Sequence, residues 1–336
     1  FSSGKWESCD SNSFRTMSAI AYYFGKQIAA HTNVPIGLIN ISIGGAPLET
    51  FIAPDALKNS RQFSAKLNGN WMSNPALPVW VRARGLQNIG GSATVSSDEY
   101  GKSHAYKPGF AYTASIEPLL PMPIKGILNY QGESNAQEAE RVKEYALLTK
   151  LMVNDIRKKW REPKLPYYYV QLSSIDTQVY KGQLWPEFRN EQRKTLAIIP
   201  YSGMAVSSDK GAKNDVHPTD KKTPAERLAR WALNKTYGIR IVPSGPLPLS
   251  ATYSDGQLKI IFDHLAEGLK TADGQSLRGF STDANQNPNA KISGKYVIIS
   301  SENKPAFVYY GWKPFSDGNL VNSENLPAST FSIKVQ

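Results

Sequence analysis

The sequence has few cysteines, few histidines and no long apolar run, and each shortage excludes a class of protein. Its 336 residues contain one cysteine, Cys9, so no disulfide can form within the chain. No run of eighteen apolar residues occurs, so we expect no membrane-spanning helix. The four histidines do not fall at metal-ligand spacing, so we expect no metal site; they are His31, His104, His217 and His264.

Dense blocks of one charge sign are also missing, although the formal net charge is +11. A basic balance can serve nucleic acids, anionic membranes or acidic ligands. We interpret it as a solvated basic surface, because no Lys/Arg block stands out. Recognition helices and aromatic platforms for nucleic acid are missing as well, so we expect no nucleic-acid partner.

The first 241 residues alternate between strand-like apolar segments and amphipathic helical segments. Strands are predicted at Val34–Ile43, Ile124–Tyr130, Tyr167–Leu172 and Ser202–Ser207. Helices are predicted at Phe14–Ala30, Ala136–Trp160, Trp185–Ile199 and Thr219–Tyr237. This alternation predicts a parallel sheet covered by helices on both faces. Residues 55–107 are rich in Asn, Ser and Gly, and we interpret them as an irregular, substrate-facing insertion.

Composition changes after Ile241, where short alternating strands separated by Asp-Gly turns begin. The clearest of these strands are Leu258–Phe262, Tyr296–Ile299 and Ala306–Tyr310. We therefore predict two domains, residues 1–241 and a small β-sandwich-like domain at residues 242–336. The second domain has no catalytic signature, and we expect it to pack against the sheet domain. Sugar binding by its aromatic side chains is the alternative.

Three of the predicted strands end in polar or glycine-rich turns, where ligands bind in parallel sheets. Gly44 and Gly45 could offer backbone N–H groups to an oxyanion, although a tight turn alone explains them better. His217 lies in a loop just before a helix that Pro218 can start, which suits a general base. Asp215 could orient its imidazole. A surface-loop histidine is the alternative interpretation.

A carboxylate and two amides follow the second predicted strand, at Gln131, Glu133 and Asn135. Burying such polar side chains costs free energy unless they are solvated or paired. Glu133 could be the acidic partner of His217, and Gln131 or Asn135 could donate to an oxyanion. The alternative is a helix start capped by Ser134 or Asn135, and both interpretations can hold together.

Together these motifs resemble the sialate O-acetylesterase family of SGNH-type carbohydrate esterases. YQGESNA and DxHP with the following RLA are the most specific pieces. The matching stretches, in order, are SAIAYYFG within Phe14–Gly25, VPIGLINISIGGAPLETFI (Val34–Ile52), PGFAYTASIEPLLPMPIKGILNYQGESNA (Pro108–Ala136), WPEFRNEQ (Trp185–Gln192), DVHPTDKKTPAERLARWAL (Asp215–Leu233) and NLVNSENLPASTF (Asn319–Phe331).

The resemblance implies a three-layer α/β/α fold around a flavodoxin-like parallel sheet, with no cofactor. It implies a serine esterase that removes O-acetyl groups from sugars, typically sialic acid, through an acetyl-serine intermediate. Acetylated plant polysaccharide such as acetyl xylan is the alternative substrate, and a non-catalytic carbohydrate-binding relative is the alternative function. We expect an exported protein, periplasmic, extracellular or lysosomal, although no signal is visible in this chain.

Site residues also follow from the resemblance. His217 would be the general base, with Glu133 or Asp215 as the acid that orients it. The main chain of Gly44 and Gly45, with Gln131, would bind the oxyanion, and Asn135 is a further candidate there. The family pattern places an Asp three residues before the His, but Asn214 stands at that position, which favours Glu133.

The family's nucleophile motif, Gly-Gln-Ser-Asn, is not found in the sequence. Ser11 lies in a superficially similar stretch, but it has no glycine two residues ahead and no apolar strand before it. We therefore expect the nucleophilic serine in a companion N-terminal segment or chain. Without that segment, a neighbouring strand would be an exposed sheet edge.

Overall fold

The structure is a computed structural model that describes residues 5–176, 182–283, 285–286 and 288–336. Its α-helices are α1 (Ala19–Thr32), α2 (Pro54–Lys58), α3 (Val79–Ile89), α4 (Ala139–Lys159), α5 (Trp185–Ile198) and α6 (Lys222–Lys235). The strands of the first 241 residues are β1 (Ser97–Asp98), β2 (Gly101–Lys102), β3 (Ile127–Asn129), β4 (Tyr167–Gln171) and β5 (Ser202–Val206). The later strands are β6 (Leu247–Ser254), β7 (Gln257–Asp263), β8 (Leu269–Thr271), β9 (Phe280–Thr282), β10 (Ala290–Ser293), β11 (Tyr296–Ser300), β12 (Phe307–Tyr310), β13 (Leu320–Asn322) and β14 (Phe331–Lys334).

Strands β3, β4 and β5 form a parallel sheet in that order, with Tyr167 of β4 opposite Ile127 and Ser202. Alternate residues of a strand point to opposite faces. Tyr167 accordingly packs in a core built with α4 and α5. Tyr168 packs in a second core with α1 and α6. Helices therefore cover both faces of this sheet, and the mixed α/β class predicted from the sequence is confirmed.

The predicted strand at residues 34–43 is wrong in this structure. These residues, all of which the structure describes, form no strand, and Val34 and Ile39 are 54% and 40% exposed. Their apolar pattern still produces local packing, since Leu38 lies against Gly25 of α1. A β-branched apolar run favours extended backbone, but a strand also needs a hydrogen-bonding neighbour.

Residues 55–107 are less irregular than predicted, because they contain α3 and most of α2 and enclose a small core of their own. That core consists of Trp71, Met72, Leu77 and Val81, which are all buried. Trp71 packs directly on Gly85 of α3, where any Cβ would overlap the indole ring. Tryptophan side chains bury large apolar areas, so Trp71 contributes much of the packing in this core.

The C-terminal strands form antiparallel sheets in the orders β10-β11-β7-β6, β14-β12-β9 and β13-β8. Their core includes Ile260, Val297 and Phe331, all fully buried, and it is separate from the two cores of the parallel sheet. Arg189 of α5 connects the two regions by donating to the carbonyls of Lys313 and Pro314. Burial lowers the pKa of Arg189 to about 9. The predicted boundary at residue 241 stays a prediction.

Among the described helices, none combines the length and the apolar character that crossing a membrane requires.

Candidate active site

Two turns meet at the carboxyl end of the parallel sheet. The first is the glycine turn, Gly44 and Gly45, and the second is the polar turn, residues 131–135, which follows β3. Ser134 Oγ donates to the Gly45 carbonyl at 2.7 Å, and Gln131 Nε2 donates to the Ala46 carbonyl at 3.2 Å. The structure therefore brings together two segments that lie almost ninety residues apart in sequence.

The glycine turn is shaped by its surroundings. Gly45 has a φ of +70°, and a Cβ there would lie 2.6 Å from Tyr106 Oη and 2.8 Å from Trp80 Cη2. Only glycine fits this conformation and this space. The Tyr106 hydroxyl donates to the Gly44 carbonyl at 2.9 Å. In the described part of the chain, the N–H groups of Gly44 and Gly45 donate no hydrogen bond, and both residues are exposed.

The side-chain amides of the polar turn, those of Gln131 and Asn135, are engaged in hydrogen bonds within the protein. Asn135 is fully buried, and its Oδ1 accepts from Leu48 N–H at 3.0 Å and from Gln131 Nε2 at 2.8 Å. Its Nδ2 donates to Glu49 Oε2 at 3.0 Å. Both N–H bonds of the Gln131 side chain are therefore in use, and its Oε1 accepts from Tyr145. Asn135 faces inward and has no surface to offer a substrate.

Capping of the next helix by this turn, the alternative interpretation, is wrong. Helix α4 begins at Ala139, and the residue at its N-cap position is Glu138. Ser134 and Asn135 lie outside the helix, where they bind the Gly45 carbonyl and the Leu48 N–H. Their polar side chains thus serve contacts between loops.

A buried ionic cluster, formed by Glu49, Lys66, Arg141 and Glu144, supports the polar turn from behind. Lys66 Nζ lies 2.7 Å from Glu49 Oε1 and 2.6 Å from Glu144 Oε1. Burial would raise the pKa of Glu49, but the Lys66 ammonium and the Asn135 amide outweigh burial and hold that pKa below its usual value. No local pattern predicts this cluster, since its members are scattered from residue 49 to residue 144.

The His217 loop lies on the open side of the site. The imidazole is 78% exposed, and its Nδ1 lies 3.6 Å from Asp215 Oδ1. The same carboxylate accepts the His217 backbone N–H at 2.7 Å. Isolated β-bridges join Ala212 to Ile175 and to Asp215, so the loop is fastened to the segment that follows β4. Asp215 is therefore adjacent to the imidazole, at a distance longer than a hydrogen bond.

Glu133 lies in a narrow crevice that Val216, the neighbour of His217, also lines. Burial raises the pKa of the Glu133 carboxyl, and the positive charges of His217 and Lys221 oppose that rise. Glu133 and the His217 loop therefore lie at the same crevice, close enough for their charges to interact. A half-buried carboxylate near an imidazole can stabilise the imidazolium that forms when the base takes a proton.

Lys221, Ser173 and Ser207 lie around Tyr130, beside the crevice, and no motif in the sequence predicts a role for them. Lys221 Nζ lies 5.1 Å from the centre of the Tyr130 ring and acts electrostatically on Glu133 and Asp215. Ser173 bridges the Tyr130 hydroxyl and Ser207 Oγ, each at 2.9 Å. Their positions in the sequence could have indicated these two serines, because Ser173 follows β4 by two residues and Ser207 follows β5 directly.

Ser11 lies in an exposed turn before α1, in which Asp10 Oδ1 accepts the backbone N–H groups of Asn12 and Ser13. That local turn accounts for the Asp-Ser-Asn sequence, since Asp side chains commonly bond to backbone N–H groups two and three residues later.

Comparison with known proteins gives consistent matches. Residues 89–233 match the sequence model of the family described as "Carbohydrate esterase, sialic acid-specific acetylesterase". The sialate O-acetylesterase of Rattus norvegicus is 28% identical over 264 residues, which cover 70% of this chain and 46% of that protein. The Homo sapiens sialate O-acetylesterase is 27% identical over 252 residues, covering 70% and 42%. The chain thus spans about half the length of the curated relatives it matches.

A solved structure is also similar. The crystal structure of a carbohydrate acetylesterase from Xanthomonas citri superposes with a TM-score of 0.75 at 29% sequence identity. The match covers 94% of this chain and 65% of that chain. The resemblance to sialate O-acetylesterases and carbohydrate acetylesterases is therefore confirmed, and acetylesterases are carboxylic ester hydrolases.

Proposed function

We propose that this chain, which resembles the sialate O-acetylesterases, supplies the base and the oxyanion turn of a serine-type carbohydrate esterase. Its substrate would be an O-acetylated sugar, specifically O-acetylated sialic acid. One observation carries the proposal. Glu133 and the His217 loop lie at one crevice, and the adjoining Ser134 binds the Gly45 carbonyl of an exposed glycine turn whose N–H groups donate no hydrogen bond among the described residues. The family match at residues 89–233 includes both Glu133 and His217 and supports ester hydrolysis.

In the proposed reaction, His217 takes the proton of a serine hydroxyl as the serine oxygen attacks the acetyl carbonyl. Glu133 stabilises the imidazolium, and Asp215 is the other candidate for that role. The imidazolium then gives its proton to the departing sugar oxygen. Water, deprotonated by His217, attacks the acetyl-serine, and acetate and the free serine hydroxyl are released.

The N–H groups of Gly44 and Gly45 would bind the oxygen that becomes negative in each tetrahedral intermediate. Gln131 can add a donor by exchanging its 3.2 Å bond to the Ala46 carbonyl for one to the substrate. Asn135 acts indirectly in this proposal, because its three bonds fix the positions of Leu48, Gln131 and Glu49.

Three parts of the proposal rest mainly on the resemblance. The sheet with helices on both faces would be the flavodoxin-like, three-layer sheet of SGNH hydrolases. The nucleophilic serine would lie in a companion N-terminal segment or chain. The protein would be exported to a periplasmic, extracellular or lysosomal location.

Covalent labelling tests the serine mechanism. A fluorophosphonate probe is added to the active preparation, including every chain that co-purifies, and labelled peptides are identified by mass spectrometry. We expect one labelled serine, and loss of acetate release in step with labelling. A preparation that releases acetate from sugar esters but is neither labelled nor inhibited would contradict the acetyl-serine mechanism.

Acetate release from O-acetyl sialic acid, compared with release from acetyl xylan, tests the substrate. We expect a higher kcat/KM with O-acetyl sialic acid. Equal or higher kcat/KM with acetyl xylan would instead assign plant polysaccharide as the substrate. The Xanthomonas citri relative, a carbohydrate acetylesterase, is consistent with either substrate.

A further inference from the structure

Two aromatic side chains border the glycine turn on its outer side. Trp80, at the start of α3, and Tyr106 both lie within 3 Å of the position that a Gly45 Cβ would occupy. Their ring centroids are 5.5 Å apart, with 31° between the ring planes. Both side chains are half-buried, so part of each ring remains accessible beside the proposed oxyanion turn.

These rings are held in place from below. His104 meets Tyr106 edge-on with centroids 4.8 Å apart and stacks on Trp71 at 5.6 Å. Trp71 is buried, and its indole N–H donates to the Lys102 carbonyl at 2.8 Å. The surface presented by Trp80 and Tyr106 is therefore fixed before any ligand binds, which reduces the entropy lost on binding.

A cation lies beside these rings. The exposed Arg84 guanidinium is 5.7 Å from the Trp80 ring centre, one helical turn further along α3. Burial raises the pKa of the Tyr106 hydroxyl, and the positive charge of Arg84 opposes that rise, so Arg84 acts electrostatically on both rings. Arg84 Nη1 donates to Gln87 at 2.9 Å, and a guanidinium carries five N–H donors in all.

We propose that Trp80, Tyr106 and Arg84, the aromatic rim, form the subsite for the sugar ring of an acidic substrate. The apolar face of the ring packs on the two aromatic side chains, and Arg84 pairs with the sugar carboxylate. The acetyl carbonyl then reaches the N–H groups of Gly44 and Gly45. This inference rests on the proposed function, and it names the residues that distinguish an acidic sugar from a neutral one.

Binding of the free sugar tests the subsite without any chemical step. The probes are N-acetylneuraminic acid and its methyl ester, which differ in the carboxylate charge, and their Kd values are measured by NMR titration on the active preparation. We expect the Arg84→Gln variant to bind the acid about tenfold more weakly, since the lost contact is a charged hydrogen bond. Its affinity for the ester should not change. The matched control is Arg61→Gln, which removes an exposed charge from the same segment.

The aromatic contribution is tested by Trp80→Phe and Trp80→Ala. Both variants should weaken the acid and the ester equally, with the larger loss in Trp80→Ala, because the rings contact the neutral part of the sugar. Trp80→Phe keeps an aromatic ring and guards against a folding defect in the alanine variant.

An unchanged Kd for the acid in Arg84→Gln, or an equal loss in Arg61→Gln, would overturn the subsite. Failure of the proposed function has a different signature: the wild-type preparation would release no acetate from any O-acetylated sugar.

Discussion

The two glutamates of the site differ in how completely the protein satisfies them. Glu49 is fully buried and bonded to Lys66 and Asn135, and its pKa is lowered. Glu133 lies in a crevice where burial outweighs the charges of His217 and Lys221, and its pKa is raised. The Glu49 carboxylate is engaged in contacts that hold the loops together, whereas the Glu133 carboxylate remains available for chemistry. Ionisable groups with perturbed pKa values are common at functional sites.

The largest expected effect is a loss of activity when His217, on the open side of the site, is replaced. His217→Ala should lower kcat/KM for acetate release by about 10⁴-fold, the upper end of what general acid–base catalysis contributes. Its free energy of unfolding should hardly change, because the imidazole is 78% exposed. The control is His31→Ala, which removes another exposed histidine at the end of α1. Wild-type activity in His217→Ala would refute its role as base.

The next largest expected effect is a loss of stability when Lys66, in the buried ionic cluster behind the polar turn, is replaced. Lys66→Met should lower the free energy of unfolding by about 3–5 kcal/mol, because it leaves the Glu49 charge buried without its cation. Denaturant unfolding measures this loss. Lys194→Met is the matched control: Lys194 lies 2.6 Å from Glu191 but is half exposed, and such surface pairs contribute about 0–1 kcal/mol. Similar losses in the two variants would show that the buried ionic cluster is no stronger than a surface pair.

Smaller effects on activity are expected for the two carboxylates near His217. Glu133→Gln should lower kcat/KM by about 10²-fold, and Asp215→Asn by less, because Asp215 is exposed and 3.6 Å from the imidazole. A larger loss in Asp215→Asn would make Asp215 the orienting acid.

The pH dependence of the free energy of unfolding also distinguishes Glu133 from Glu49. The raised pKa of Glu133 means that its ionised form disfavours folding, so its contribution is present below pH 4.5 and is lost as pH rises through the folded pKa. Glu133→Gln should therefore increase the free energy of unfolding at neutral pH, and this gain should disappear toward pH 4.5. Glu49 has the opposite sign: its stabilisation is present above 4.5 and is lost as pH falls through its lowered pKa. A Glu133→Gln variant less stable than wild type at neutral pH would contradict the raised pKa.

Local patterns predicted the regular elements that contact the parallel sheet. Helix α5 was predicted at Trp185–Ile199 and is found at Trp185–Ile198, and β4 was predicted at Tyr167–Leu172 and is found at Tyr167–Gln171. Each has a strong periodic or continuous apolar signal, and α5 also has a proline in its first turn.

Helix α3 was missed for the opposite reason. It contains Gly85 and carries charged and apolar residues without a clear stripe, so its own sequence favours no element. In the structure, α3 packs through Gly85 on Trp71, a contact made across fourteen residues that no local pattern reveals. The strand predicted at residues 34–43 failed because pairing depends on a partner elsewhere in the chain.

The sequence by itself determined the mixed α/β class, the resemblance to carbohydrate esterases and the polar turns at the carboxyl ends of strands. Those features follow from periodicity and from short motifs, which are local. Only the tertiary structure decided which polar residues are used up and which remain free. Asn135 was a candidate for substrate contact until the structure placed it between Leu48 and Glu49, whereas Gly44 and Gly45 are exposed and their N–H groups donate no hydrogen bond among the described residues. Hydrogen bonds between residues almost ninety positions apart leave no local pattern, and they decide what a buried amide can do.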